Sequence, residues 1–224
     1  MSEPAYSVSI SRVDIERVLP FVFIGVFIGT FVLIVIATKN QRKKARENLA
    51  RLAERLGLQV HAPAKRGIFG TSPTSLSGTF RGRAIRVFSY STGSGKNRTL
   101  WCAVAAPVNN PSGLKLRISK ENAFTVVGRK FGIDDVATGD EAFDREFYVK
   151  SNQPDFIRAA LIPEIRQRLA DVWKTKSRGL FSVDETEVRY AETGNFSKAA
   201  VCERIPLVAE AVCDLGEVVE TFSA

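Results

Sequence analysis

The feature that most constrains this chain is Val18–Thr38, VLPFVFIGVFIGTFVLIVIAT, a run with no charged residue between Arg17 and Lys39. As a helix it rises about 31 Å at about 1.5 Å per residue, which matches a hydrocarbon core about 30 Å thick. Fifteen of its residues are Val, Leu, Ile or Phe. At about −0.3 to −0.6 kcal/mol each near the bilayer centre, they outweigh Pro20, Thr30 and Thr38. The run reads as a single transmembrane helix over 18–38.

Charge sets its direction. After the run comes KNQRKKAR, in which Lys39, Arg42, Lys43, Lys44 and Arg46 stand without an acid. Before it, Arg12 and Arg17 are offset by Glu3, Asp14 and Glu16. Cations next to a span stay in the cytoplasm. The expectation is therefore a short outer segment over 1–17, a basic juxtamembrane stalk helix over 39–57 and a cytoplasmic domain over 58–224. A secretory signal carries its cations first, has a shorter apolar run and ends on a small-residue cleavage site, so this is not one. The collar cations Lys39, Arg42, Lys43, Lys44 and Arg46 are candidate lipid-headgroup contacts, each contributing about 1 kcal/mol near an anionic surface. Within the span, Gly25-x-x-x-Gly29 is a candidate packing face for a second copy or a partner helix. Glycine is also common in membrane helices without such a role.

Beyond Gly57 the chain is long enough for one domain with a real core and short for two. It has three cysteines, Cys102, Cys202 and Cys213, and a single histidine, His61. No C-x-x-C occurs, so a structural zinc site is not expected, and no motif here leads to the expectation of a cofactor. The cytoplasmic side favours reduced thiols. The net charge of +8 is uneven. Residues 57–130 hold twelve Lys or Arg against one acid, and residues 131–224 hold eleven against eighteen. Either the halves pair within the fold, or the basic half faces anionic headgroups.

Local patterns follow in order. Leu49, Leu52, Ala53 and Leu56 form a helical stripe ended by Gly57. A Gly/Pro/Ser/Thr loop spans Ala62–Thr74. Leu76–Phe80 and Ala84–Tyr90 form a hairpin around Arg81-Gly82-Arg83, with Arg86, Phe88 and Tyr90 on one face and Val87 on the other. Ser91–Lys96 is a turn, then Thr99–Ala106 a strand. Leu114, Leu116 and Ile118 alternate as a strand. Glu121–Phe131 fits a short helix. Phe143–Val149 alternates, with Phe143, Phe147 and Val149 inward. Asn152 and Pro154 start a helix whose face is Phe156, Ala160 and Leu161. Pro163 starts another, striped by Ile165, Leu169, Val172 and Trp173. Gly179–Val183 and Thr186–Ala191 make a hairpin around Asp184-Glu185. Ser197–Phe222 carries one apolar seam, Val201, Ile205, Val208, Val212, Leu215, Val219 and Phe222, with a kink expected at Pro206. A helix lying on a sheet suits this widened stripe better than a coiled coil. Strands first and helices late predict α+β, a mostly antiparallel sheet covered by helices on one face.

Candidate chemistry is sparse. Gly93-Ser-Gly-Lys96-Asn-Arg98-Thr99 lacks the first glycine of a phosphate loop and reads as a hairpin tip. Asp134, Asp135, Asp140, Glu141, Asp144 and Glu146 lack the spacing of a calcium loop and read as a solvated turn. Phe88, Tyr90 and Trp101 among Arg81, Arg83, Arg86, Lys96 and Arg98 have the composition of a base-stacking platform. A membrane tether and the demands of a core argue against that, and no nucleic acid is expected. His61, beside Pro63 at the domain's edge, is poorly placed for a triad.

Gly139-Asp-Glu-Ala-Phe-Asp-Arg-Glu-Phe-Tyr-Val149, with Leu52-Ala-Glu-Arg-Leu-Gly-Leu58 and Ser77-Gly-Thr-Phe-Arg-Gly-Arg83, resembles a pattern of bacterial single-pass membrane-anchored domains of unknown function, written G-D-x-x-F-D-x-x-F-x-V. The resemblance implies a bacterial origin and a tethered domain, and it carries over no catalytic residue. The expectation is a non-enzymatic binding or scaffolding domain, an accessory subunit of a membrane complex, partnered by another membrane protein or by itself. The alternatives are a sensor of anionic headgroups or a small ligand, and an enzyme of unknown type. The orientation is checked by fusing a reporter active only outside the cytoplasm after Ala224. Silence is expected, and activity would reverse the assignment.

Overall fold

The computed structural model describes residues 12–62, 65–66, 70–71, 73–120 and 134–223. The chain divides into two compact units, Met1–Lys43 and Lys44–Ala224. The first contains most of helix α1 (Arg12–Leu56), including one stretch long and apolar enough to cross a membrane, with a mean hydropathy of 2.8. Its apolar side chains from Leu19 to Ile36 are exposed within the chain itself.

The second unit begins inside α1. Leu49, Leu52, Ala53 and Leu56 are all buried, which is the stripe read from the sequence. The helix stops at Gly57, whose φ of +67° suits a residue without a Cβ, and the Leu58 N–H donates to the Ala53 carbonyl at 2.9 Å. This six-to-one bond caps the helix and turns the chain into the sheet.

The strands are β1 (Gln59–His61), β2 (Lys65–Arg66), β3 (Gly70–Thr71), β4 (Ser75–Phe80), β5 (Arg83–Thr92), β6 (Thr99–Pro107), β7 (Leu116–Lys120), β8 (Asp134–Asp135), β9 (Phe147–Ser151), β10 (Leu180–Val183) and β11 (Glu187–Thr193). Nine of them form one sheet in the order β1-β4-β5-β6-β11-β10-β7-β9-β8, with every pairing antiparallel. Strands β2 and β3 pair separately inside the expected Ala62–Thr74 loop. The β4–β5 turn has positive φ at both Arg81 and Gly82, as a two-residue type I′ hairpin requires. The expected helix at Glu121–Phe131 lies outside the described residues.

The helices after α1 are α2 (Glu141–Glu146), α3 (Pro154–Ala160), α4 (Pro163–Lys174) and α5 (Ala199–Ser223). They share one core with one face of the sheet. Val87, Cys102, Val104, Ile118, Phe181 and Val188 point into it from the strands, and the seam from Val201 to Val219 points into it from α5. The seam residues Ile205, Val208, Val212, Leu215 and Val219 are fully buried. Helix α5 lies on β6 and β11 and against α4, a helix on a sheet as expected. It continues through Pro206. The fold is α+β, with a mostly antiparallel sheet covered by helices on one face.

Two expectations are corrected. Phe143–Val149 is not one strand, because α2 occupies Glu141–Glu146 and β9 starts at Phe147. The spacing of Phe143 and Phe147 satisfies both periods, since four residues bring a side chain back to the same face of a helix and of a strand. Asp140 decides between them. Its carboxylate accepts from the N–H groups of Ala142 and Phe143, both at 3.1 Å, and so nucleates the helix. The second correction is at α3. Asn152 does not cap it; its side chain accepts from Lys115 N–H at 2.7 Å and donates to the Gly113 carbonyl at 2.9 Å, bracing the entry to β7. Ile157 and Leu161 are fully buried, and Phe156 and Ala160 are partly buried against the same core, with the Phe156 ring tilted against Phe222 at 4.4 Å.

Leu215→Ala leaves a cavity where the seam meets the sheet, and a loss of about 2–5 kcal/mol is expected. Glu203→Ala, on an exposed position of the same helix, is expected to change stability by less than about 0.5 kcal/mol. Urea unfolding of the detergent-solubilised full chain, followed by near-ultraviolet circular dichroism, measures both. Equal effects would contradict the packing described.

Candidate functional site

Part of the basic half of the sequence, Arg81, Arg83, Arg86 and Lys120, is paired with acids of the other half. Arg81 bonds Asp214 at 2.7 Å and Glu217 at 3.1 Å. Arg83 makes a two-pronged bond to Glu220 at 2.7 and 2.8 Å. It reaches across Gly216, where a Cβ would lie 2.8 Å from the guanidinium carbon, so a larger residue would displace it. Arg168 on α4 also holds Asp214, at 2.8 Å. Asp214 is thus a buried hub joining the β4–β5 turn, α4 and α5. The hydrogen bond to Asp214 raises the Arg81 pKa, and the one from Arg83 lowers that of Glu220. Pairing between the halves therefore explains Arg81, Arg83 and, through Glu187 at 2.8 Å, Arg86. Charge reversal at these three residues would test the fold rather than a ligand.

The aromatic residues singled out in the sequence lie on the sheet face away from the helices. Phe88, Tyr90 and Trp101 pack there around Ala103 and Ala191. The Tyr90 and Trp101 rings are nearly parallel at 6.2 Å, and the Trp101 indole N–H donates to Thr92 Oγ1 at 2.8 Å. Arg86 lies 5.3 Å over Phe88, and Glu187 is held between Arg86 and Arg189. Only Arg86 of the five cations named with these rings joins them; Lys96 and Arg98 stand at the β5–β6 tip. Trp101 is 6 % exposed, so its ring faces are taken by neighbours rather than offered for stacking.

The acidic stretch is a scaffold. Asp144 accepts from the Thr138 N–H, the Thr138 hydroxyl and the Gly139 N–H, at 3.0, 2.7 and 3.1 Å. Asp140, besides capping α2, is reached by Arg166 of α4 at 3.2 Å. The bond from the Phe143 N–H leads the causes that hold the Asp140 carboxyl below the usual carboxylate range. Phe143 meets Phe147 at 4.6 Å, and Phe147 meets Trp173 at 4.8 Å. Trp173 then meets Phe181 at 5.4 Å, and Phe181 meets Tyr190 at 4.9 Å. The G-D-x-x-F-D-x-x-F-x-V residues thus have folding roles: Asp140 and Asp144 tie the turn, while Phe143, Phe147 and Val149 enter the core.

One polar cluster was not singled out in the sequence. Arg204 on α5 and Glu192 on β11 form an ion pair within the core, 7 % and 3 % exposed at their side chains. Arg204 also donates to the Thr175 carbonyl at 3.0 Å. Nearby, the buried Tyr190 hydroxyl bonds Ser177, and Ser177 Oγ accepts from Gly179 N–H at 3.0 Å. Burial pushes the Glu192 carboxyl up, against the pull of Arg204. The glutamate at 192 continues the inward alternation of Val188 and Tyr190, and that alternation is the signal that could have exposed it. Cys102, Cys202 and Cys213 are free and buried, and burial pushes the Cys202 thiol up to about 11. His61 is exposed on β1, with Nε2 2.6 Å from Ser77 Oγ.

In the first unit, Gly25 and Gly29 have open space where a Cβ would stand. Along α1, Lys39, Arg42, Lys43, Lys44 and Arg46 are all exposed.

The architecture is that of an α+β domain whose first helix includes a potential membrane span. No family model matches the sequence, and no curated protein does. Among solved structures, the fold is similar to that of the mycobacterial trehalose monomycolate transport factor A, TtfA, with a TM-score of 0.52 and 13 % identity. The match covers 79 % of this chain and 94 % of that one. At that identity the likeness is one of fold.

Arg204→Ala would leave Glu192 buried without its partner, and a loss of about 3–5 kcal/mol is expected. Replacing both, Arg204→Met with Glu192→Leu, is expected to recover most of that loss. Urea unfolding of the three proteins measures it. A double variant no more stable than the single one would contradict the pairing.

Proposed function

We propose that this chain is a non-enzymatic, single-pass protein of a bacterial inner membrane, with its N-terminus outside and its α+β unit in the cytoplasm. It acts as an accessory subunit of a membrane transport machine. One observation carries the reading: the fold is similar, over nearly the whole of that chain, to a trehalose monomycolate transport factor, and here it follows a span. The cargo class suggested by that likeness is trehalose monomycolate or a lipid of similar chemistry.

The described clusters support a scaffolding role. Their charged groups are spent on one another, and the thiols are shielded. The partner is another membrane protein or a second copy, engaged along the Gly25 and Gly29 face of the span. The resemblance of the G-D-x-x-F-D-x-x-F-x-V stretch to bacterial membrane-anchored domains supports this reading.

Purification of the tagged full chain in a gentle detergent tests the reading. A stoichiometric membrane protein is expected to accompany it, and Gly29→Leu is expected to weaken that association about tenfold or more, the loss of a close helix contact. Recovery of the chain by itself would sink the accessory role.

A further inference from the structure

The folded unit sorts its exposed charge by end, which the sequence does not reveal. Asn48 Nδ2 donates to the Phe196 carbonyl at 2.8 Å, so the start of this unit lies against the β11–α5 loop that carries Lys198. Gly194 N–H in that loop donates to the Leu100 carbonyl at 2.9 Å, which places the β5–β6 tip, with Lys96 and Arg98, at the same end. Strand β10 runs antiparallel to β11 with Leu180 opposite Ala191, so the segment before it, with Lys176 and Arg178, also emerges there. The bond from Arg204 to the Thr175 carbonyl ties that segment to the first turns of α5.

Four separate segments thus bring Lys44, Arg46, Lys96, Arg98, Lys176, Arg178 and Lys198 to one end. All seven are exposed, and none takes part in the ion pairs of the described residues. Among the described residues nearby acids are few: Asp171 is paired with Lys174 at 2.7 Å and Glu146 with Lys120 at 3.0 Å, and Glu47 and Glu203 are also exposed there. Leu100, 40 % exposed, adds an apolar side chain beside the tip cations. The opposite end carries Asp134, Asp184 and Glu185, with Asp135 paired to Lys150 at 3.0 Å, and Arg81 and Arg83 there are engaged by acids of α5.

We propose that the Lys44 end of the folded unit is a lipid-docking surface. Lys96, Arg98, Lys176, Arg178 and Lys198 take anionic headgroups of the bilayer, and Leu100 enters the interface beside them. The chain itself supplies the occupant. Lys44 lies six residues beyond Thr38, a stretch that reaches about 20 Å even when fully extended. A cationic surface tethered that closely samples the layer within about 8 Å of an anionic membrane where attraction is not screened. This surface rests on the reading of 18–38 as a membrane span and does not depend on the accessory role.

The test uses the full chain in lipid nanodiscs. Asn97→Cys at the tip and Glu185→Cys at the opposite end each receive a small thiol-reactive fluorophore; the native cysteines are buried. Quenching by lipids carrying a headgroup nitroxide reports proximity. At Asn97→Cys, quenching is expected to be about threefold stronger with about 30 % phosphatidylglycerol than in phosphatidylcholine alone. It is expected to fall to the phosphatidylcholine level in about 0.5 M NaCl. Glu185→Cys stays unquenched throughout. The combined charge reversal K96E, R98E, K176E, R178E and K198E is expected to abolish the difference. Should that variant fold poorly, the lipid and salt responses of Asn97→Cys decide by themselves. Quenching that ignores lipid charge and salt would overturn the proposal. So would protection of Asn97→Cys seen only in native membranes, which would assign the surface to an acidic protein instead.

Discussion

The packing of α5 on the inner face of the sheet is the contact on which the second unit depends. Seven apolar residues at alternating spacings of four and three give α5 one continuous stripe. The central strands β5, β6 and β11 offer a flat apolar surface of Val87, Cys102, Val104, Val188 and Tyr190. Neither surface is stable in water by itself. Burying each against the other removes enough apolar area to offset the ordering of both. The remaining helices fill the space that this contact leaves, with α4 against α5 and the stripe of α1 completing the core.

Polar features follow from that geometry. Once α5 is placed, its acids, the buried Asp214 and the more exposed Glu217 and Glu220, stand beside the β4–β5 turn, and Arg81 and Arg83 meet them. Its first turns carry Arg204 inward, where Glu192 is the only counterion brought to it by β11. Such a buried pair adds little net stability, yet losing one partner is costly. The acids of the G-D-x-x-F-D-x-x-F-x-V stretch work as caps and ties around an aromatic chain. A charged motif in this domain is therefore first a folding device. The surface charge left over is what distinguishes the two ends of the unit.

Much of this was legible in the residues. The span needs only composition and length. The stripe of α1, the Arg81-Gly82 hairpin, the alternation of Arg86, Phe88 and Tyr90 and the seam of α5 are local periodicities, visible because neighbours in sequence share a face. The α2–β9 junction was not legible, because Phe143 and Phe147 fit either period and only the capping bonds of Asp140 choose the helix. Nor was the role of Asn152, whose partners at Gly113 and Lys115 are far away in sequence. The Arg204–Glu192 pair, only twelve positions apart, joins a strand to a helix, and its one signal was the inward alternation of β11.

By itself the sequence determined that an uncharged helix-length run adjoins a basic collar, that strands precede helices, and which faces are apolar. These are consequences of short-range geometry and of the cost of leaving apolar surface in water. Only the tertiary structure decided which cations are spent on which acids and which remain exposed. That outcome depends on strand order and register, which bring together residues more than a hundred positions apart, and no local pattern encodes it.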